Sequence, residues 1–504
     1  IFLIIVSVLL NLIGALSAPI GIDDAKYHFA IPKRYLDTGY ISFYPDIEFS
    51  NFPFPIEMLW TIAIGLDSGE LAQLLNLFFG ILAMAWIYII SKKALLDLPT
   101  TILALCLFYS ISTVGHQSRS GSVELGGVIF FLAGFYYLNN FYNKYDTRSI
   151  ILSGIFFGIF SVVKLSNPAV VMFITIWLLM VLIKKNKSIS FSFISAAYYS
   201  IIAFLVASVW YAKSYYFTGN PFYPFLSSIF GGPPINIDLL SWGNTLMKDP
   251  DSSFSHIFRA PNRFFYQFWY LISDPAKVRG HVSPIFLCMV PLFIFTYNGQ
   301  KRIIKNILVI SFLFYLYWIT FYPLVRIGLP MFALLSVPTA YFVNDFKAKP
   351  ICYNLIILLI FAFFIINITN SFINVKVRLP LLSGINNNIS YISSLNNNYH
   401  SESILAIDYI NKNTPDNAKI LYWPNNGFYL ERDYIYASGF IVTMADSKKI
   451  YDKKTLVNEL KRFGITHVAM TDNYLRRKLK NTLLSCEGIK IIYNDENMIV
   501  ATLQ

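Results

Sequence analysis

The chain has 504 residues and a formal net charge of +12, and 56% of its residues are hydrophobic whereas only 13% are charged. About one quarter of the residues in a soluble protein are charged, so this composition, with a mean hydropathy of +0.53, excludes an ordinary soluble domain. The positive charge does not indicate a nucleic-acid partner, because much of it lies in short clusters between hydrophobic spans, where it sets membrane topology.

The first element is an uncharged segment, residues 1–20, which is long enough to cross a bilayer and is predicted to be a retained helix. The string DDAKYH, residues 23–28, follows it directly. Ionisable residues at a membrane boundary are costly and tend to mark a functional site. This string is therefore either a charged helix cap or part of an active site.

Hydrophobic spans recur along the first 370 residues and predict about eleven membrane-spanning helices. The segment 57–66 is too short to span and is predicted to be re-entrant. The spans lie near residues 1–20, 70–91, 99–114, 121–139, 149–163, 166–183, 191–210, 283–297, 303–320, 322–343 and 351–370.

Lysine and arginine clusters fall on every second connection between these spans, at residues 92–93, 144–148, 184–187, 301–305 and 347–349. The positive-inside rule assigns such connections to the cytoplasm. The alternate connections are then outside, namely 21–69, 115–120, 211–282 and everything after about residue 371. We therefore expect a multi-pass protein of the plasma (inner) membrane.

The C-terminal region differs in character from the rest of the chain. After the membrane domain, residues 1–370, an Asn- and Ser-rich stretch predicts a linker at 371–400. Residues 401–504 combine amphipathic helix patterns with short β-branched runs, which predicts a small soluble α/β domain with a C-terminal hairpin. The topology places this domain outside the membrane, on the same side as DDAKYH.

Acids and cations are predicted to share the outer face. Asp23, Asp24 and Glu57 belong to the first outer loop, and Glu124 lies one turn inside an apolar span, where it must face the bundle interior or a cavity. Cations on the same side include Lys26, Lys164 and Arg326; snorkelling to the interface is the alternative for the last two. Together they predict an outward cavity suited to a phosphate-bearing, membrane-embedded substrate.

Six stretches in this order resemble the GT-C superfamily of integral-membrane glycosyltransferases, which includes protein O-mannosyltransferases and aminoarabinose transferases. The stretches are GIDDAKYHFAIPKRYLDTG, NFPFPIEMLW, SVELGGVIFFLAGFYYL, GIFFGIFSVVKLSNPAVV, YYFTGNPFYPFLSSIFGG and VRIGLPMFALLSVP. Asp23, Asp24, Lys26 and Tyr27 match the acidic pair, base and aromatic residue of the family's first outer loop. The chain departs from the family pattern at Glu124, where Asp is more usual.

The resemblance implies an inverting glycosyltransferase that takes its sugar from a polyprenyl- or dolichyl-phosphate donor. The acceptor, a glycan, lipid or protein, would be glycosylated on the extracytoplasmic face. Asp23 is the candidate general base. Lys26, Lys164 and Arg326 are the candidates for holding the lipid phosphate, and Tyr27 is grouped with them as substrate-binding.

The remaining acids, Asp24, Glu57 and Glu124, are also candidate catalytic residues, either for positioning the acceptor or for holding a metal ion. No cofactor is certain from the sequence, but a divalent metal ion would also stabilise the leaving phosphate. The candidate metal ligands are Asp24, Glu57, His28, His256 and His281. For each histidine, a surface or hydrogen-bonded role is the alternative.

Three other functions remain open at this stage. A polysaccharide ligase or polymerase would also use a polyprenyl-linked donor, and the outer loop 211–282 carries the Arg and His residues that such enzymes favour. A lipid-linked sugar transporter or flippase would more often show paired internal repeats, which we do not find. A non-catalytic scaffold with the same fold is the third alternative.

Overall fold

The structure is a computed structural model that describes all of the chain except residues 48, 186, 235–262, 322, 386, 396–399, 425, 451 and 472–476. It is a bundle of apolar helices followed by a small domain containing a β-sheet. Five helices are long and apolar enough to cross a membrane, by length and composition alone. The predicted fold class is confirmed, and the exact number of spans stays a prediction.

The helices of the bundle follow the predicted spans closely. They are α1 (Phe2–Ala15), α2 (Ala30–Thr38), α3 (Glu57–Leu66), α4 (Gly69–Lys93), α5 (Leu98–Tyr109), α6 (Ser112–Gln117), α7 (Glu124–Lys144), α8 (Thr147–Val163), α9 (Pro168–Lys184), α10 (Ile189–Thr218), α11 (Ser227–Phe230), α12 (Arg263–Ser273), α13 (Ile285–Cys288), α14 (Val290–Phe295), α15 (Arg302–Phe321), α16 (Val325–Asp345) and α17 (Pro350–Leu382). A π-helical turn, Asp24–His28, lies between α1 and α2.

Local capping sets several helix starts on the predicted cytoplasmic side. The Asp97 carboxylate accepts a hydrogen bond from the Thr100 amide at 3.0 Å, and the Asp146 carboxylate accepts one from Ser149 at 2.8 Å. Each satisfies a backbone donor that the first turn of a helix leaves unpaired. These caps begin α5 and α8.

Helix α16 is the most enclosed of the five long apolar helices. It packs against α15, α5, α7 and α4, and its side chains from Gly328 to Ala340 are buried almost without exception. Pro330 and Pro338 lie inside it. Arg326 is in the first turn of this central helix. Its side chain therefore begins near the centre of the bundle, at the end predicted to be outside.

The predicted span 99–114 is divided between α5 and α6, and the structure differs from the predicted spans at three further places. Helix α1 ends at Ala15, because Pro19 cannot continue it. The span at 283–297 consists of two short helices, α13 and α14, with Pro291 in the first turn of the second. Residues 371–382, assigned to the linker, continue α17, and Arg378 in this extension donates to the Gly14 carbonyl of α1 at 2.8 Å.

The C-terminal domain contains a five-stranded sheet in the order β2-β1-β3-β5-β4. Strand β1 is parallel to β2 and β3, whereas β5 is antiparallel to β3 and β4, so the predicted C-terminal hairpin is confirmed. The predicted strands did not include β2. The elements are α18 (Asn388–Ser393), α19 (Ile404–Asn413), β1 (Lys419–Tyr422), β2 (Asp433–Tyr436), α20 (Ala437–Gly439), a π-helical turn (Phe440–Met444), α21 (Ser447–Ile450), α22 (Leu456–Arg462), β3 (His467–Thr471), α23 (Arg477–Leu484), β4 (Ile489–Asn494) and β5 (Met498–Leu503).

Alternation along the strands gives this sheet two apolar faces. Leu421 and Val468 belong to the face that packs on α22 and α23. Ile420 and Tyr422 belong to the opposite face, which packs on α19 and on apolar side chains of the first outer loop, Ile31, Tyr35, Ile47 and Phe54. The C-terminal domain therefore rests directly on the loop that begins with DDAKYH.

Candidate active site

The four predicted acids all occur where a helical segment starts. Asp23 directly precedes the π-helical turn, Asp24 is its first residue, Glu57 is the first residue of α3, and Glu124 is the first residue of α7. A carboxylate in the first turn is favoured by the partial positive charge of the helix N-terminus. This local rule accounts for an acid at each helix start, and the packing of the helices brings these starts to the same end of the bundle.

Arg326 joins two of these acids. Its Nη1 lies 3.2 Å from Oδ2 of Asp23, and its Nε lies 3.6 Å from Oε1 of Glu124. The Asp23 side chain is 39% exposed, whereas that of Glu124 is 4% exposed. The cluster therefore has an enclosed carboxylate and an accessible one on the two sides of one guanidinium group.

Lys164 completes this cluster. It follows the last residue of α8, and its Nζ lies 3.0 Å from Oε1 of Glu124. Oε2 of Glu124 is buried and has no hydrogen-bond partner among the described residues. A cavity adjoins these groups, lined by Glu124, Gly127, Phe160, Val163, Lys164, Asn167, Arg326, Ile327 and Pro330. Two cations thus border a recess whose other walls are largely apolar.

Asp24 is buried away from its neighbour Asp23. Its Oδ2 accepts a hydrogen bond from the Gly121 amide at 2.9 Å, which attaches the π-helical turn to the segment before α7. Burial raises the pKa of the Asp24 carboxyl from 3.8 to about 6, and the hydrogen bond from Gly121 opposes that shift. Of the two neighbouring acids, Asp24 is therefore enclosed and Asp23 is the more accessible.

His28 and Glu57 form a separate buried pair. Nδ1 of His28 lies 2.8 Å from Oε1 of Glu57, and both side chains are almost fully enclosed. One turn further along α3, the Trp60 indole donates to the Gly121 carbonyl at 2.9 Å. A histidine oriented by a carboxylate is an arrangement that can accept or relay a proton.

Lys26 and Tyr27 contact Phe49, which lies further along the same outer loop. The Lys26 ammonium group lies 5.3 Å from the centroid of the Phe49 ring, and the Tyr27 ring centroid is 4.6 Å from it. Tyr27 also contacts the His28 ring at 4.2 Å. The structure thus brings Asp23, Glu124, Lys164 and Arg326 into one cluster, pairs His28 with Glu57, and places Lys26 and Tyr27 at Phe49.

The candidate metal ligands have different surroundings. His256 lies outside the described residues, and His281 is exposed, with its main chain hydrogen-bonded to Ser112. Within the described part of the chain, no three His, Cys, Asp or Glu side chains are grouped closely enough to hold a metal ion. Asp24 and Glu57 have Gly121 and His28 as partners instead. The described candidates therefore do not form a ready ligand set, and no step of the proposed reaction requires a metal ion.

The C-terminal domain contacts the DDAKYH segment on both of its flanks, which the sequence pattern did not indicate. The Tyr436 hydroxyl donates to the Lys26 carbonyl at 3.1 Å, and Nε2 of His400 lies 3.3 Å from the Gly21 carbonyl oxygen. The Lys33 ammonium donates to the Phe428 and Leu430 carbonyls at 3.0 and 2.6 Å. These contacts fix the backbone on which Asp23 is carried.

Two further arginines near the site, Arg119 and Arg378, are more deeply buried than the sequence indicates. Arg119 is recognisable as one of the outer-face basic residues. Arg378 lies in the stretch predicted to be a linker. Its apolar neighbours continue the preceding helix, and that pattern is the signal from which its helical position could have been predicted.

Comparisons with known proteins identify the fold. No family model and no curated protein matches the sequence. Two crystal structures of ArnT from Cupriavidus metallidurans match the fold, one bound to undecaprenyl phosphate (TM-score 0.61) and one in the apo state (TM-score 0.62). Each is 9% identical in sequence and covers 99% of this chain and 97% of its own. The chain therefore has the fold of these ArnT structures over its whole length.

Proposed function

We propose that this integral-membrane protein is a glycosyltransferase of the GT-C type that uses a polyprenyl-phosphate-linked sugar as donor. The observation that carries the proposal is the cluster of Lys164 and Arg326 beside Glu124, on a recess with apolar walls. A fold shared with a protein bound to undecaprenyl phosphate supports the same donor class. The sequence motifs in family order are an independent argument.

Lys164 and Arg326 hold the lipid phosphate in this proposal. Charge-assisted hydrogen bonds from an ammonium and a guanidinium group stabilise the negative charge that develops on the leaving phosphate. Glu124 offsets the charge of the two cations in the free enzyme and keeps them at the recess.

Asp23 is the general base of the proposed reaction. It is the accessible carboxylate of the cluster, and its position beside Arg326 puts it next to the proposed phosphate site. It takes the proton from the acceptor hydroxyl while that oxygen attacks the anomeric carbon and the lipid phosphate leaves. A single displacement of this kind inverts the anomeric centre.

His28 and Glu57 complete the proposed site. They lie beside Tyr27 as a buried pair that orients the acceptor or accepts the proton after Asp23. Lys26 is assigned to the phosphate end of the donor. We also propose that the acceptor side and the C-terminal domain face the extracytoplasmic side, because the basic connections alternate in that sense.

The test is turnover of a defined donor. Membranes containing the protein are incubated with a panel of polyprenyl-phosphate sugars, and released polyprenyl phosphate is measured by mass spectrometry against membranes that lack the protein. We expect release from at least one donor, together with a glycosylated acceptor. Transfer from a polyprenyl-diphosphate glycan alone would favour the ligase or polymerase alternative, and movement of an intact donor across the membrane would favour the flippase.

A further inference from the structure

A pair of arginines is buried at the outer end of α1. Arg119, from the turn between α6 and α7, is 9% exposed, and Arg378, from the last turns of α17, is 4% exposed. Neither belongs to the Lys164–Arg326 cluster by any described contact. Burying a guanidinium group is costly unless an opposite charge or several hydrogen bonds replace the lost water.

The two arginines have neutral partners. Nη1 of Arg119 donates to Oδ1 of Asn11 at 3.0 Å and to the Ser371 hydroxyl at 2.9 Å. Nη1 of Arg378 donates to the Gly14 carbonyl at 2.8 Å. Among the described residues, no carboxylate forms an ion pair with either arginine, although a carboxylate does pair with the buried Arg34 and with the partly exposed Arg326.

Both side chains meet at Gly14. A Cβ atom built on Gly14 would lie 2.8 Å from Cδ of Arg119 and 2.8 Å from Nη1 of Arg378, so the two arginines are neighbours. Burial, and after it the charge of Arg378, lowers the pKa of Arg119 to about 10. Two enclosed positive charges side by side repel each other, and an anion between them removes that cost.

His116 lies close to Arg119 in the chain. Its side chain is exposed, although it belongs to the same outer turn as Arg119. It lies within electrostatic range of Arg119 and Arg378 and also of Glu124 and Arg326. The arginine pair is therefore next to the candidate active site and not isolated from it.

We propose that Arg119 and Arg378 form a second anion subsite that binds a phosphate group, with His116 at its opening. Two neighbouring arginine side chains carry more N–H groups than the oxygens of one carboxylate can accept, which suits a tetrahedral oxyanion. The phosphate belongs either to a lipid headgroup at the outer boundary or to a soluble phosphate. The proposal does not depend on the function assigned to Lys164 and Arg326.

The first experiment measures binding of inorganic phosphate to the purified full chain in neutral detergent, by calorimetric titration at constant ionic strength. We expect Arg119→Gln and Arg378→Gln each to weaken one binding event by about tenfold to a hundredfold, the range for a charge-assisted hydrogen bond. Arg119→Lys and Arg378→Lys keep the charge and should lie between parent and Gln variants. Lys277→Met, which removes an exposed cation of the outer loop 211–282, is the matched control.

The outcomes separate this proposal from the proposed function. Loss of phosphate binding in the Arg119 and Arg378 variants supports the second subsite, whatever Lys164→Met does. Parent-like phosphate binding in both Gln variants overturns it. Repeating the titration in phosphatidylcholine discs with and without phosphatidic acid identifies the source: competition indicates a lipid headgroup, and its absence indicates a soluble phosphate.

A measurement on the unaltered protein covers the case in which the variants fail to fold. Crystals of the parent are soaked in tungstate, a heavy tetrahedral oxyanion. We expect an anomalous peak between the Arg119 and Arg378 guanidinium groups. The absence of that peak at a concentration that saturates phosphate binding would show that the pair only joins α1, α6 and α17.

Discussion

Nη1 of Arg326 lies 3.2 Å from Oδ2 of Asp23, although 303 positions separate the two residues in the chain. The ion pair places the only strongly accessible carboxylate of the Glu124 cluster beside a cation proposed to hold phosphate. For inversion the attacking hydroxyl must approach from the face of the sugar opposite the leaving phosphate, so the proposal requires the sugar to lie between Asp23 and the phosphate, with the reacting groups within a few ångströms of one another.

Replacing Asp23 with Asn should lower kcat by about 10²–10⁴-fold, the usual loss for a general base. Binding of polyprenyl phosphate should persist, because the cations that hold it remain. The measurement is transfer rate and donor affinity side by side, with Asp37→Asn, an exposed acid of the same loop, as control. Near-parental turnover in the Asp23 variant would transfer the role of base to Asp24 or Glu57.

Lys26, Lys164 and Arg326 should each contribute to the affinity for the lipid phosphate. Replacing any one with Met retains most of the apolar stem and removes the charge, so binding of sugar-free polyprenyl phosphate should weaken by about 1.5–3 kcal/mol. Arg326→Lys should also be impaired, because a lysine cannot reproduce a bidentate contact. If affinity is unchanged in all three Met variants, snorkelling is the better account of these cations.

Asp24 should make stability depend on pH. Its folded-state pKa of about 6 exceeds the ordinary 3.8, so the folded protein keeps a proton that the unfolded chain releases. This stabilisation is complete below about pH 4 and is lost as the pH rises through 6, a change of about 3 kcal/mol. Asp24→Asn should therefore gain melting temperature relative to the parent between pH 4.5 and 7.5, whereas Asp37→Asn should not. Parallel pH curves for the Asp24 variant and the parent would contradict the prediction.

A methyl group added at Gly439 should disrupt the contact between the C-terminal domain and the first outer loop. A Cβ there would lie 2.1 Å from the Asp46 carbonyl oxygen, which is backbone and cannot rotate away. Gly439→Ala should cost about 1–3 kcal/mol, seen as a lower melting temperature and faster proteolysis of the C-terminal domain. Ser438→Ala, at the neighbouring position, is the control; equal behaviour of the two variants would show that the contact is loose.

The C-terminal domain should be extracytoplasmic. In a variant without the four native cysteines, Cys introduced at the exposed Glu402 should react with an impermeant thiol reagent in intact cells. Cys introduced at Ala348, in a connection predicted to be cytoplasmic, should react only after the membrane is opened. The reverse pattern would invert the topology.

Prediction from sequence was most successful where a single stretch of chain carries the whole signal. Apolar spans of sufficient length, such as 303–320 and 351–370, correspond to α15 and α17. The short span 57–66 corresponds to α3 in length. The linker was predicted to begin at residue 371 from its Asn- and Ser-rich composition, but the helix continues to Leu382. Ile373, Val375 and Leu379 extend the apolar helix before that composition begins.

Helix positions, the α/β character of the C-terminal domain and the residue types at the outer boundary are encoded locally, in hydropathy, period and capping residues, and the sequence alone determined them. Which side chains meet was decided by tertiary structure. The contacts of Asp23 with Arg326, of His28 with Glu57 and of Lys26 with Tyr436 depend on how each helix is rotated and how the domain packs. No local pattern specifies these, since they arise from close packing between segments up to 410 positions apart.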